Sequence, residues 1–273
     1  MFVTRLISGI VLVAIALIAF IFGGEILLGI SVFISIAGYL ELCRAVGVKQ
    51  EKKRINALQT VGLLGILAYY AVLYFFPDNA LYAVMPVICV FMVNMLLYVV
   101  TFPKYHSDQI MANVFNFLYA PVMLSFIYLT RQLPMGVYIV WLILISSWGC
   151  DTCAYVVGVL IGKKKIFPVL SPKKSLEGCI GGVVGAGLIG ALYAYFVVEE
   201  AIPDKRVTLI IALICMVGAV MSQIGDLAAS AIKRNHNIKD YGKLIPGHGG
   251  IMDRFDSVIV TAPMIYFLTV ILI

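Results

Sequence analysis

Charge is what this chain of 273 residues has least of: only 12% are Asp, Glu, Lys or Arg, against about a quarter in an ordinary soluble domain. There are 14 acidic residues, three histidines and two tryptophans. Disordered chains are polar and charge-rich, so disorder is excluded. A water-soluble globular enzyme is excluded too. Hydrophobic residues make up 62% and mean hydropathy is +1.04, more apolar surface than a core of this size can hide. No clear internal repeat, long linker or low-complexity tract is present, so an inverted-repeat transporter gains no support. What remains is an all-α polytopic membrane protein. The first apolar stretch, Leu6 to Phe22, has spanning length and reads as a retained span rather than a cleaved signal. The six cysteines sit in or beside apolar stretches and read as small packing residues. Cys150-Asp-Thr-Cys153 has no second pair and no nearby histidine, so a zinc site is not expected.

Apolar runs give nine expected spans, at 6–22, 26–43, 57–76, 80–101, 111–130, 136–161, 179–198, 207–228 and 257–273, each near the length a bilayer requires. The segments between them alternate in kind. Gly23 to Glu25, Pro77 to Asn79, Arg131 to Pro134 and Glu199 to Arg206 are short and poor in cations. Arg44 to Arg54, Pro103 to Asp108, Gly162 to Gly178 and Ser230 to Asp256 are longer and basic. With the amino terminus grouped with the basic loops, that side carries 17 Lys+Arg and the other three, Arg131, Lys205 and Arg206. The positive-inside rule then puts the amino terminus and the basic loops in the cytoplasm and the carboxyl terminus outside. The net charge of +6 is assigned to orientation and to anionic lipid or phosphate, not to nucleic acid. Residues 1–135 read as an amino-terminal set of about five spans. Residues 136–273 read as the catalytic region, with cytoplasmic loops 162–178 and 229–256.

Ionised side chains are costly within a bilayer, so each is a functional candidate. Glu41, next to Arg44, reads as a snorkelling carboxylate at the membrane surface. Asp151 lies in a run of small and hydroxyl residues, Ser146-Ser-Trp-Gly-Cys-Asp-Thr-Cys, suited to a polar cavity between helices. Asp226 shares a helix face with Ser222 and Gln223.

The last basic segment points to polyphosphate chemistry. Lys233, Arg234, Lys239, Lys243 and Arg254 can neutralise a triphosphate. Asp240 lies among them, and Gly247, Gly249 and Gly250 allow close backbone approach. Asp253 and Asp256 share a face where the last span begins. Carboxylates beside phosphates imply a hard cation, which makes Asp226, Asp253 and Asp256 the candidate metal set for Mg²⁺. In the other long loop, Ser171, Lys173 and Lys174 precede a glycine-rich span (Gly178, Gly181, Gly182, Gly185), which suits a second phosphate-binding mouth.

The run Ser230-x-Ile-Lys233-Arg234-x4-Lys239-Asp240-x-Gly242-x2-Ile245-Pro246-x-His248-Gly249-Gly250-Ile251-x-Asp253-Arg254-Phe255-Asp256 closely resembles the signature of the phosphatidate cytidylyltransferase (CDP-diacylglycerol synthase) family. Ser171-Pro-Lys-Lys-Ser-Leu-Glu-Gly178, Gly225-Asp226-Leu and Asp151-x2-Ala154-Tyr155 follow the same family's motifs in order. The resemblance covers residues 145 to 257; the amino-terminal half matches in hydropathy alone. It implies transfer of the cytidylyl group of CTP to phosphatidic acid, releasing pyrophosphate, at the cytoplasmic face of a bacterial plasma membrane. It also implies a Mg²⁺ centre on Asp226 and Asp253, with K⁺ as an optional second cation. On this reading Asp226, Asp253, Lys233, Arg234, His248 and Arg254 form the catalytic set. Asp151, Ser171, Lys173, Lys174, Ser222, Lys239, Asp240, Gly247, Gly249 and Gly250 bind substrate. A phosphate monoester is already ionised at neutral pH, so His248 is expected to donate a hydrogen bond rather than act as a base. A homodimer is the default assembly. The rival readings are an isoprenoid ether-lipid cytidylyltransferase, a polyprenol kinase, an ion-coupled transporter and a membrane scaffold.

Overall fold

The computed structural model describes residues 2–48, 55–201 and 206–273, leaving aside the side chains of residues 2–6 and of Ala80. Lys49, Lys52, Lys53, Arg54 and Lys205, which entered the topological reading, lie outside the described residues, as does the side chain of Arg5. Among the described residues there is no strand, only two isolated bridges.

The helices are α1 (Phe2–Phe22), α2 (Gly24–Ala45), α3 (Ala57–Phe75), α4 (Ala80–Val100), α5 (Ser107–Gln132), α6 (Gly136–Ile161), α7 (Leu176–Val198), α8 (Arg206–Asn235) and α9 (Met252–Leu272). From α2 onward, all eight are long and apolar enough to cross a membrane; α1 adds the shorter apolar stretch Ile7–Phe22. The chain is thus an all-α polytopic membrane protein. Two helices depart from their expected spans. α8 continues to Asn235 and α9 begins at Met252, so both project past the apolar stretch and carry their charged residues on rigid helix.

A continuous apolar core runs from Leu27, Ile34 and Leu42 on α2 through Leu124 on α5 to Val258 and Ile259 on α9. The amino-terminal half also buries neutral polar groups. Tyr39 donates to Asn113 Oδ1 at 2.5 Å, and Asn113 Nδ2 donates to Leu58 O at 3.0 Å and to Asn94 Oδ1 at 2.9 Å. One network therefore joins α2, α3, α4 and α5.

The second half packs differently. Glycines on α7 bring it against α6: a Cβ at Gly181 would strike Val157, one at Gly182 would meet Cys150 and Ala154, and one at Gly185 would strike Cys153. This is the small-residue seam of membrane helix pairs. Gly181, Gly182 and Gly185 thus serve packing, while Gly178 at the start of α7 borders the cavity that Lys173 and Lys174 line. Gln223 crosses the same seam, donating to Cys179 O at 2.9 Å.

Three π-turns interrupt the described helices, the last at Ala194–Val198 on α7. Leu118–Val122 holds Pro121, which has no amide hydrogen to give. Ile145–Gly149 lies just before Asp151, a placement typical of functional sites.

Candidate active site

The carboxylates and cations meet at one end of the bundle. α8 supplies Asp226 and Lys233, and α9 supplies Asp253, Arg254 and Asp256. α6 supplies Asp151, the 162–175 segment Lys174, and the 236–251 segment His248.

Local chemistry sets each piece. In the 236–251 segment, His248 N donates to Ile245 O at 3.0 Å around Pro246-Gly247, with Gly247 at φ +78°. Proline first and a left-handed glycine second is the pattern of a type II turn. In the 162–175 segment, Glu177 accepts from the backbone amides of Lys163 at 3.0 Å and Lys164 at 3.2 Å. Ser175 caps α7 by accepting from Gly178 N at 3.3 Å. Ser171 enters through its backbone: Lys174 N donates to Ser171 O at 3.1 Å. That turn delivers Lys174 Nζ to within 2.6 Å of Asp226 Oδ2.

Asp253 is buried and well satisfied. Oδ1 takes Lys233 Nζ at 3.0 Å, and Oδ2 takes Tyr241 N at 2.9 Å and Gly250 N at 3.0 Å. Lys233 also lies 5.3 Å from the Tyr241 ring centroid. Burial first, then the nearby Tyr119, Asp256 and Asp253, pushes the Tyr241 hydroxyl well above the ordinary phenol range. It stays protonated and donates to Ala229 O at 2.9 Å, pinning the segment to α8.

Four cavities meet here. A central one of about 240 Å³ is lined by Asp151, Asp253, Arg254, Asp256, His248 and Trp148, with Gly9, Leu12 and Val13 of α1 along one wall. A basic mouth of about 650 Å³ shares His248 and Arg254 with it and adds Lys239, Asp240, Lys243, Gly247 and Gly249. A second mouth of about 560 Å³ shares Asp151 and adds Lys165, Lys173, Lys174 and Gln223. An apolar groove of about 360 Å³ shares Leu12 and Trp148. Arg254 Nε is buried with no hydrogen-bond partner among the described residues. A buried guanidinium donor left unsatisfied at the seam of two cavities is a place for an anion.

The structure does not draw every sequence candidate in. Arg234 is exposed at the end of α8 and lines none of these cavities. Ser222 is fully buried between helices, its hydroxyl unpartnered among the described residues. Gly250 faces Glu41, whose carboxylate fills the space a Cβ would need.

Glu41 itself is not a snorkelling carboxylate. It is buried, and it accepts from Ile251 N at 3.1 Å and from Met252 N at 2.9 Å. It thus supplies α9 with the acceptor that a helix start lacks, and its charge suits the positive end of the helix dipole. A Cβ at Gly242 or Gly250 would overlap this carboxylate, so both glycines answer to it. Ser8 of α1 was equally invisible beforehand. Its hydroxyl shares a 2.6 Å hydrogen bond with His248 Nδ1 and lies 3.1 Å from Pro246 O.

Among the described residues no group of three or more His, Cys, Asp or Glu is placed to hold a metal by itself. Asp151, Asp253 and Asp256 nonetheless line one cavity, with Asp226 held beside Lys174. Mg²⁺ usually takes one or two carboxylates and completes its shell with water and phosphate oxygens. The residues present fit that mode rather than an all-protein cage.

Comparison with known proteins is decisive at one level. Residues 3–272 match the cytidylyltransferase family. The chain belongs to that family. Family membership makes it a nucleotidyltransferase. It is similar to the phosphatidate cytidylyltransferase of Rickettsia bellii, at 36% identity over 60% of this chain and 71% of that protein. It is also similar to proteins of the same name from Bacillus subtilis, at 42% over 44% of this chain and 43% of that one, and from Synechocystis, at 38% over 52% and 47%. The last two alignments span about half the length of those relatives.

Proposed function

We propose that this protein transfers the cytidylyl group of CTP to phosphatidic acid, forming CDP-diacylglycerol and pyrophosphate, on the cytoplasmic side of a bacterial cell membrane. The observation that carries the reading is Arg254, with a buried and unpartnered Nε between the basic mouth and the carboxylate cavity. Such a donor suits the triphosphate of CTP, and Lys239 and Lys243 around it add positive charge. The excess of cations at this end of the bundle supports the cytoplasmic assignment, and the relatives' names support the lipid acceptor.

A phosphate oxygen of the lipid attacks the α-phosphorus of CTP in line. A new P–O bond forms while the bond from the α-phosphorus to the α,β-bridging oxygen breaks, and that oxygen leaves with pyrophosphate. Arg254, Lys174 and Lys233 hold the oxygens on which charge grows. Lys174 and Lys233 pair with Asp226 and Asp253, and Lys174 also lines the second mouth. Asp226 with Asp256 or Asp253 would hold Mg²⁺, which would neutralise charge at the phosphoryl oxygens when bound. His248, hydrogen-bonded to Ser8, organises the turn rather than removing a proton.

The test uses detergent-purified protein with phosphatidic acid, Mg²⁺ and CTP labelled at the α- or the γ-phosphate. Lipid extraction should find the α-label in the lipid and the γ-label in water as pyrophosphate. Transfer of the γ-label to an added lipid alcohol would mean a kinase. No label in any lipid, with the protein folded, overturns the assignment.

A further inference from the structure

We propose that the apolar groove beneath α1 holds one acyl chain of the lipid acceptor while its phosphate reacts, an inference that rests on the reading above. The groove has a volume of about 360 Å³, within the roughly 300–1,000 Å³ usual for small-molecule sites. One face of α1 forms its wall with Leu12, Ile15, Ala16 and Ala19, at the spacing of a single helix stripe. One turn before Leu12, Ser8 is hydrogen-bonded to His248. The same stripe thus passes from a hydroxyl at the polar cavity to hydrocarbon below, which is the order of polarity along a phospholipid.

The first turns of α9 repeat this division. Phe255 faces the groove, while its neighbours Arg254 and Asp256 line the carboxylate cavity. Leu12 and Trp148 line both spaces, so the two adjoin. At the far end Arg131 Nε donates to Phe20 O at 3.0 Å, which ties the end of α1 to α5. A transmembrane helix from a second copy is about 10–12 Å across with its side chains and is too wide for this volume. A single extended hydrocarbon chain suits it.

Gly29 on α2 allows a clean test. It lines the groove, and a Cβ built there meets nothing within 4 Å. Gly29→Phe therefore starts from open space and adds its ring at the groove wall. Turnover of CTP is compared with dioleoyl- and dihexanoyl-phosphatidate. kcat/KM for the long-chain acceptor should fall at least about tenfold, while that for the short-chain acceptor and the KM for CTP stay within about twofold. Ala16→Phe, on the opposite wall, should reproduce the pattern. Equal losses with both acceptors, or no loss with either, overturn the proposal.

A readout independent of turnover accompanies it. Phosphatidate with a diazirine at the end of one acyl chain should label the α1 stripe in the unaltered protein and lose that label in Gly29→Phe. Equal labelling by a diazirine phosphatidylcholine means bulk lipid only and also overturns the proposal. If the unaltered protein makes no product from either acceptor, the cytidylyl-transfer reading fails and the labelling alone decides the groove.

Discussion

The two halves of the bundle bury polar groups by opposite means. α2 to α5 hold neutral amides and phenols in a closed network, where Asn113 gives to both Asn94 and Leu58. α6 to α9 hold ions, and those ions pair across elements that also border open cavities. A closed neutral network favours one rigid arrangement. An ion pair beside a cavity can exchange its partner for a ligand. On the proposed reading α2 to α5 are scaffold and α6 to α9 carry the ionised groups of the site, while α1 lends it one wall. Glu41 is the exception, a charge from the scaffold that caps the helix carrying Asp253.

Four substitutions bear on this contrast, from the greatest effect to the least. Asp226→Asn keeps the volume and removes the charge beside Lys174. Turnover should drop about 100- to 1,000-fold, the range for deleting one electrostatic group at a reacting centre, while the protein still inserts and purifies as a single species. Near-normal turnover would remove Asp226 from the site. Glu41→Gln retains one acceptor for two buried amides. Leaving one unsatisfied costs about 1–3 kcal/mol of stability, so the thermal midpoint in detergent should fall by several degrees. Activity per folded molecule, assayed well below that midpoint, should also fall, by about tenfold, because Glu41 sets the start of the helix that carries Asp253. A lower midpoint with activity per folded molecule unchanged would make Glu41 scaffold only.

Asn113→Leu tests the other half. It should lower unfolding stability by about 1–2 kcal/mol, the upper end for a hydrogen-bonded residue between membrane helices. Activity per folded molecule should be unchanged. A selective loss of activity would refute the division of labour. Ser8→Ala removes one neutral hydrogen bond to His248, worth about 0.5–1.5 kcal/mol. A modest fall in turnover, of at most about tenfold, is expected, and no change would show that His248 holds its place without α1.

Hydropathy made the spans legible because each crosses a uniform apolar slab. It does not show where α8 ends or α9 begins, because charged turns such as Met252–Asp256 are helical without being apolar. The aspartates and the basic glycine loop were legible as local patterns. Glu41 and Ser8 were not, since their partners lie 210 and 240 positions away, beyond any local spacing rule. Composition does not say which glycines of α7 meet another helix, because close approach to a ligand and to a helix ask for the same residue. The π-turn before Asp151 leaves no periodic trace, as it shifts one turn only.

The bond between Glu41 and α9 also imposes an order on biosynthesis. Its acceptor oxygens are made 210 and 211 residues before the amides they bind. At about 5–20 residues per second, that is some ten to forty seconds of translation. Through that interval α2 carries a carboxylate that still lacks the two α9 amides it accepts from in the finished fold. A chain truncated before α9 would leave both of those acceptor positions unfilled.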